Sequence, residues 1–115
     1  MDFVKAMALG ANGVAISNSA MQSIGCVAAR ICNTNNCPAG IATQKADLRQ
    51  RLNVEKSSVQ LKNFFESSTL LMQVMAHACG HDALRKFTQE DLATWHRDMA
   101  LLSGINYSGM MPPSR

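Results

Sequence analysis

Charged side chains are scarce in this sequence, and no basic cluster compensates for them. Asp, Glu, Lys and Arg make up 17% of the 115 residues, below the roughly 25% typical of soluble domains. A surface with so little charge indicates that other protein covers part of it. The Lys and Arg residues behind the net charge of +3 are scattered along the chain. They therefore indicate no nucleic acid and no membrane surface as a partner.

Long apolar runs are also absent, and this bears on location and on the cysteines. No stretch reaches the roughly 18 apolar residues of a membrane span, and the first residues lack the basic start and apolar core of an export signal. We therefore expect a cytoplasmic chain, in which disulfides rarely persist. The four cysteines are expected to be free thiols or metal ligands. At this length the chain can form one modest core.

The apolar pattern predicts one strand among several helices. A four-residue apolar run at 14–17, bounded by turn formers, is typical of a strand buried on both faces. The strongest helical stripe runs over 58–79, with Leu61, Met72 and Met75 on it. A capping box at Thr88 predicts a last helix carrying Leu92, Trp95, Met99 and Leu102 on one face. Further helices are expected at 2–9, from a cap at Asn18 or Ser19 to Gly25, at 46–52 and at 82–87.

The lone strand indicates that the chain is part of a larger α/β unit. One buried strand cannot satisfy its own backbone donors and acceptors, so residues 14–17 need neighbouring strands. Helix, strand and helix in this order are one and a half units of an α/β repeat. Ligands in such folds bind where the strand ends, here at residues 17–20, whose free amides favour a phosphate. Simple helix capping by these residues is the alternative interpretation.

Three of the four cysteines lie close together in a loop with the spacing C-x5-C-x4-C, at Cys26, Cys32 and Cys37. This is neither the paired CxxC of zinc sites nor the spacing of plant-type ferredoxins. Three thiolates could hold an iron-sulfur cluster, with the polar residues 33–36 donating hydrogen bonds to the sulfurs. A zinc site would need a fourth ligand, and ordinary buried thiols remain a third interpretation. The candidates for that fourth ligand are Cys79, His77 and His81.

The residues around this loop resemble one known family. From residue 6 to 52 the chain is similar to the end of the FMN-binding domain of glutamate synthases, with an ALGA entry, the loop ending CPAGIATQ and a following DLR segment. The resemblance implies a fold that is a mostly α fragment of an α/β (TIM) barrel. Residues 14–17 would be its eighth strand. The chain then divides into barrel elements at 1–25, the cysteine loop at 26–45, C-terminal helices at 46–104 and an irregular tail at 105–115.

The resemblance also implies cofactors. Cys26, Cys32 and Cys37 would bind a 3Fe-4S cluster that passes electrons to FMN, and the amides of Ser17, Asn18 and Ser19 would contact the flavin phosphate. Many relatives have Gly-Thr in place of Ser17-Asn18, so the amide contacts are implied and the side-chain contacts are not. The cluster, rather than zinc, is what the resemblance favours for the loop.

The resemblance further implies a reaction and partners. The intact enzyme would reduce 2-iminoglutarate to glutamate, with electrons from ferredoxin or an NADPH-oxidising subunit, in an assembly that includes the remainder of the barrel. No catalytic residue is expected in these 115 residues, and the isolated chain is expected to be inactive. Oligomeric state is left open. The alternative hypothesis is a free-standing small helical protein that binds zinc or a protein partner.

Overall fold

The computed structural model describes residues 2–110, in which helices dominate. The elements are α1 (Asp2–Ala8), α2 (Asn18–Ser23), α3 (Ala46–Arg49), α4 (Val54–Ala78), β1 (Ala93–Thr94), α5 (Arg97–Ser103) and β2 (Asn106–Tyr107). Three 3-10 turns lie at Cys32–Thr34, Leu84–Lys86 and Gln89–Asp91. The predicted mostly helical character is confirmed. The chain forms two compact units, Met1–Val14 with Leu70–Arg115, and Ala15–Thr69.

The core of the first unit is small and is built around the second half of α4. Val4 and Ala8 of α1 pack with Ala76 and Phe87, and partly buried Met72, Met75, Leu84 and Leu92 surround them. The small side chains of Ala8 and Ala76 let backbones approach, and the methionines fill the irregular gaps. The predicted stripe on α4 is therefore confirmed at Met72 and Met75. α4 ends at Ala78, and Gly80 follows it with a φ of +80°, the left-handed conformation that glycine adopts without strain.

The C-terminal part of this unit differs from the prediction. The capping box is confirmed, because the amide of Thr88 donates to Asp91 Oδ2 at 2.8 Å and the Thr88 side chain accepts from the Asp91 amide. It begins only a 3-10 turn. The Thr94 hydroxyl then accepts a hydrogen bond from the amide of His96 at 3.1 Å. This local bond competes with helix formation, so β1 interrupts the predicted helix and α5 starts after it.

Two side chains expected on the apolar face of that helix lie in solvent instead. Trp95 is 75% exposed and Leu102 is 90% exposed, so the single-face prediction is wrong. β1 pairs with β2 in parallel, Ala93 opposite Asn106 and Thr94 opposite Tyr107. Residues 106–107 of the predicted irregular tail are therefore a short strand, while its residues 111–115 lie outside the described residues.

The predicted strand at 14–17 is not formed within the described residues. This segment has no regular secondary structure, and Val14 is 40% exposed rather than buried on both faces. A strand needs a neighbour to pair with its backbone, and the only strand pairing among residues 2–110 joins β1 and β2. The barrel context that the resemblance implies is therefore not visible in this structure. The predicted caps Asn18 and Ser19 lie inside the first turn of α2, and the N-cap is Ser17 without a side-chain bond.

α4 begins four residues earlier than the apolar stripe predicted. The side chain of Asn53 accepts a hydrogen bond from the amide of Lys56 at 2.8 Å, the N-cap bond that asparagine favours. The cap, rather than the first apolar residue, therefore decides where α4 starts. Although α4 has 25 residues, none of the helices in residues 2–110 has the length and apolar character needed to cross a membrane.

Candidate metal centre

The three cysteines of the loop surround one concavity in the unit Ala15–Thr69. Cys26 follows α2, where its amide donates to the Met21 carbonyl at 3.0 Å. Cys32 begins a 3-10 turn at the surface, and Cys37 is buried at 6% exposure. All three thiols are free. They line the same concavity, whose volume of about 10 Å³ is enough for roughly one water molecule.

The path between the cysteines uses backbone conformations that side chains rarely adopt. Ala28, Arg30 and Asn35 have φ values of 55°, 57° and 61°. Left-handed residues other than glycine are uncommon, and each of them costs about 1–3 kcal/mol unless the residue is Asn or Asp. Two of the three lie between Cys26 and Cys32, where they wind the chain so that both thiols reach one concavity. Such conformations persist only where the surroundings hold them and are concentrated at functional sites.

Hydrogen bonds across the loop supply that support. The buried hydroxyl of Thr43 donates to the Asn35 carbonyl at 2.7 Å, and the amide of Gln44 donates to Asn35 Oδ1 at 2.6 Å. Lys45 Nζ donates to Asn36 Oδ1 at 2.5 Å. The segment 43–45 therefore clamps the turn at 35–36. All of these bonds are accepted by oxygens of Asn35 and Asn36, so they do not engage the side-chain N–H groups that would donate to the sulfurs, and that expectation stays a prediction.

Backbone amides, not side chains, stabilise the thiolate of Cys37. The amide of Ala42 contributes most to lowering the pKa of this thiol, and burial opposes it less strongly. The amides of Ile41, Ala39 and Gly40 act in the same direction as Ala42. Converging N–H groups form a concavity that favours an anion, and the thiolate is the form of cysteine that binds metal. These amides therefore favour the thiolate form of Cys37.

Gly40 is required for this arrangement of amides. Its φ is +77°, and a Cβ at this position would overlap the carbonyl oxygen of Leu48. No other residue allows the chain to turn so close to α3. The sequence signal for this group of amides is the glycine two residues after Pro38, within the CPAGIATQ end of the loop.

The donor set of the loop fits a cluster better than a single ion. Among residues 2–110 no three Cys, His, Asp or Glu side chains are arranged to hold one metal ion together. A cluster of three irons needs one thiolate for each iron, so its ligands surround the cluster and do not meet at one point. Three free thiols around one concavity, one of them stabilised by amides, match that requirement. The concavity would have to widen to hold a cluster, and both Cys32 and Val27 in its lining are exposed.

The predicted phosphate-binding residues lie at the start of α2. Ser17, Asn18 and Ser19 are exposed, and the first intrahelical bond runs from the amide of Met21 to the carbonyl of Ser17 at 2.9 Å. The amides before Met21 have no partner within the helix. The side chain of Ser17, the N-cap residue of α2, makes no capping hydrogen bond to them. This segment can therefore offer backbone amides to a ligand.

The predicted fourth zinc ligands belong to the first unit, and one of them is already engaged. His81 Nε2 lies 2.9 and 2.8 Å from the two carboxylate oxygens of Asp91. The ring of His81 also packs edge-on against Phe87, with ring centroids 5.7 Å apart. Cys79 is exposed rather than packed in the apolar stripe. His81 therefore belongs to the packing of its own unit.

Residues 2–110 thus combine a mostly helical fold with a loop whose three free thiols line one concavity. Residues 1–82 match the protein-family model described as a conserved region in glutamate synthase. The chain therefore belongs to the glutamate synthase family. The match includes the whole cysteine loop and all of α4.

Individual relatives agree with this assignment. The chain is 34% identical over 98 residues to the glutamate synthase large subunit-like protein YerD of Bacillus subtilis, which covers 85% of the chain and 19% of that protein. It is 47% identical over 64 residues to the ferredoxin-dependent glutamate synthase of Antithamnion sp., and 45% identical over 64 residues to ferredoxin-dependent glutamate synthase 2 of Synechocystis sp.. Each of these two matches covers 56% of the chain and 4% of the relative. No solved structure matches the chain.

Proposed function

We propose that this chain is the iron-sulfur segment of a glutamate synthase-like flavoenzyme. Cys26, Cys32 and Cys37 would hold a 3Fe-4S cluster. The observation that carries the proposal is that all three free thiols line one concavity. The backbone amides of residues 39–42, which lower the pKa of the Cys37 thiol, are consistent with it. When bound, the cluster supplies one-electron transfer towards FMN.

The residues of the loop have different tasks in this proposal. Cys37, buried and stabilised as a thiolate, is the ligand that the loop prepares in advance. Cys32 lies at the surface, so it places one edge of the site where an electron donor can approach. Hydrogen bonds to cluster sulfurs tune the reduction potential, and in this proposal the amides of residues 39–42 would donate them.

The remaining functions of the intact enzyme extend beyond this chain. The amides of Ser17, Asn18 and Ser19 would contribute part of the FMN phosphate site, and the rest of the barrel would supply the flavin pocket and the reduction of 2-iminoglutarate to glutamate. Two of the relatives are named ferredoxin-dependent, which supports ferredoxin as the electron donor over an NADPH-oxidising subunit. Three free thiols in one loop suit a reducing compartment, and we propose the cytoplasm. On its own, the chain is proposed to be inactive.

Anaerobic reconstitution tests the proposal directly. We expect the chain, supplied with iron and sulfide, to bind them in a ratio of three to four and to give the EPR signal of an oxidised three-iron cluster. Cys32→Ser should abolish this signal. Cys79→Ser is the matched control, because Cys79 is an exposed free thiol outside the loop, and it should leave the signal unchanged.

Two results would contradict the proposal. The first is stoichiometric zinc with no cluster, which would favour the zinc-binding hypothesis. The second is equal loss of iron in Cys32→Ser and Cys79→Ser, which would mean that iron binds without regard to the loop.

A further inference from the structure

A second cavity lies beside the cysteine loop, in the same unit of the chain. Its volume is about 410 Å³, within the range of small-molecule pockets. Val27, Pro38 and Ala39 line both this cavity and the concavity of the thiols. Its other walls come from the end of α2, from the segment after α3 and from the first turns of α4. The cavity is therefore built on the cysteine loop but does not contain the cysteines.

The charged side chains of this cavity are all cationic. Arg51 and Lys56 line it, and no Asp or Glu does. Neither cation forms an ion pair with a carboxylate among residues 2–110. Glu55 lies in the same turn of α4 as Lys56 but is not part of the lining. The unit as a whole carries six basic and three acidic side chains, and this surplus equals the +3 of the entire chain. The cavity thus attracts anions.

The guanidinium of Arg51 is held at the wall shared with the cysteine loop. Its Nη1 donates to the carbonyl of Pro38 at 3.0 Å, which orients the group and leaves its other N–H donors available. Arginine binds carboxylate or phosphate through a planar fork, whereas lysine acts as a point charge. Lys56 lies in the first turn of the long helix α4, whose dipole adds to the attraction for an anion. The hydroxyl of Ser57 and the amide of Gln60 line the same cavity.

We propose that this cavity binds a small organic dianion with phosphate or carboxylate groups, one held by Arg51 and the other by Lys56. The same Arg51 side chain anchors Pro38, the residue that follows Cys37. A bound dianion would therefore also restrain the Pro38–Ala39 wall of the cysteine loop. The proposal is independent of the proposed function, since it requires neither a cluster nor a flavin.

Titration of the 115-residue chain with two probes tests the proposal. The isotope-labelled chain is titrated with inorganic phosphate, and separately with succinate, while sodium chloride keeps the ionic strength constant. We expect saturable NMR shifts at the amides of Val27, Ala39 and Asn53. Arg51→Gln and Lys56→Gln should each weaken binding by about tenfold or more, because each removes a charged contact.

Lys62→Gln is the matched control. Lys62 lies on the same helix and pairs with Glu66 at 3.6 Å, outside the cavity, so binding should not change. Tighter binding of succinate identifies a dicarboxylate ligand and tighter binding of phosphate a phosphate ligand, and both support the proposal. Shifts that do not saturate, or an equal loss in Lys62→Gln, would overturn it in favour of general charge attraction. If circular dichroism shows that Arg51→Gln is unfolded, the affinity of Lys56→Gln decides between the two outcomes. The Lys56 side chain makes no hydrogen bond among the described residues, so its replacement should leave the fold intact.

Discussion

Replacing Thr43 by valine should release the cysteine loop while leaving the rest of the chain folded. The Thr43 hydroxyl donates to the Asn35 carbonyl at 2.7 Å and accepts from the amide of Lys45 at 3.2 Å. Valine keeps the shape of threonine but makes neither bond. Since Thr43 is only 7% exposed, water cannot fully replace those partners. Two lost hydrogen bonds in this setting correspond to about 1–3 kcal/mol of loop stability.

Alkylation of Cys37 in the metal-free chain measures this loss locally. The thiol is buried, so a reagent reaches it only when the loop opens. A change of about 1–3 kcal/mol then corresponds to roughly 5- to 150-fold faster alkylation of Cys37, read by mass spectrometry of its peptide. Thr43→Ser, which retains the hydroxyl, should stay near the parent rate. Thr69→Val, an exposed change on α4, is the second control. Equal rates in Thr43→Val and Thr69→Val would refute the view that Thr43 holds the loop closed.

Three further predictions concern stability. Gly40→Ala should destabilise the chain and speed the alkylation of Cys37. The φ of Gly40 is +77°, and the new Cβ would overlap the Leu48 carbonyl oxygen. The control is Gly13→Ala, where a Cβ has open space. Phe87→Ala should lower the free energy of unfolding in urea by about 3 kcal/mol, the low end for Phe in a core, since this core is small; a loss below about 1 kcal/mol would contradict the packing described for it. The pKa of Asp91 is held below its ordinary 3.8 by the Thr88 amide and then by His81, so its stabilisation is present above pH 3.8 and is lost as pH falls through the lower folded value. Asp91→Asn should therefore reduce the fall in the free energy of unfolding as the pH drops below 3.8. An unchanged fall would argue against stabilisation by the Asp91–His81 pair.

Several elements could be predicted from the sequence because their signals are local. The helix at the N-terminus, the apolar stripe of α4 and the capping box at Thr88 each depend on residues three or four positions apart. The structure of the C-terminal region could not be predicted in this way, because the spacing of Trp95 and Leu102 fits a buried helical face although both side chains are exposed. There the bond from the His96 amide to Thr94 and the pairing of β1 with β2 decided the outcome. The strand at 14–17 shows the same limit, since its apolar pattern indicates a strand only where neighbouring strands exist.

By itself, the sequence determined which atoms the site contains: three thiols at C-x5-C-x4-C and a glycine shortly after the last of them. Only the tertiary structure decided how those atoms are used. Side-chain oxygens of Asn35 and Asn36 accept hydrogen bonds from residues 44 and 45, and the amides of residues 39–42 favour the thiolate of Cys37. Spacing along a chain specifies which groups are close in sequence. The direction of each N–H and thiol follows from backbone angles such as those of Ala28, Arg30 and Gly40, and contacts across the loop hold those angles in place.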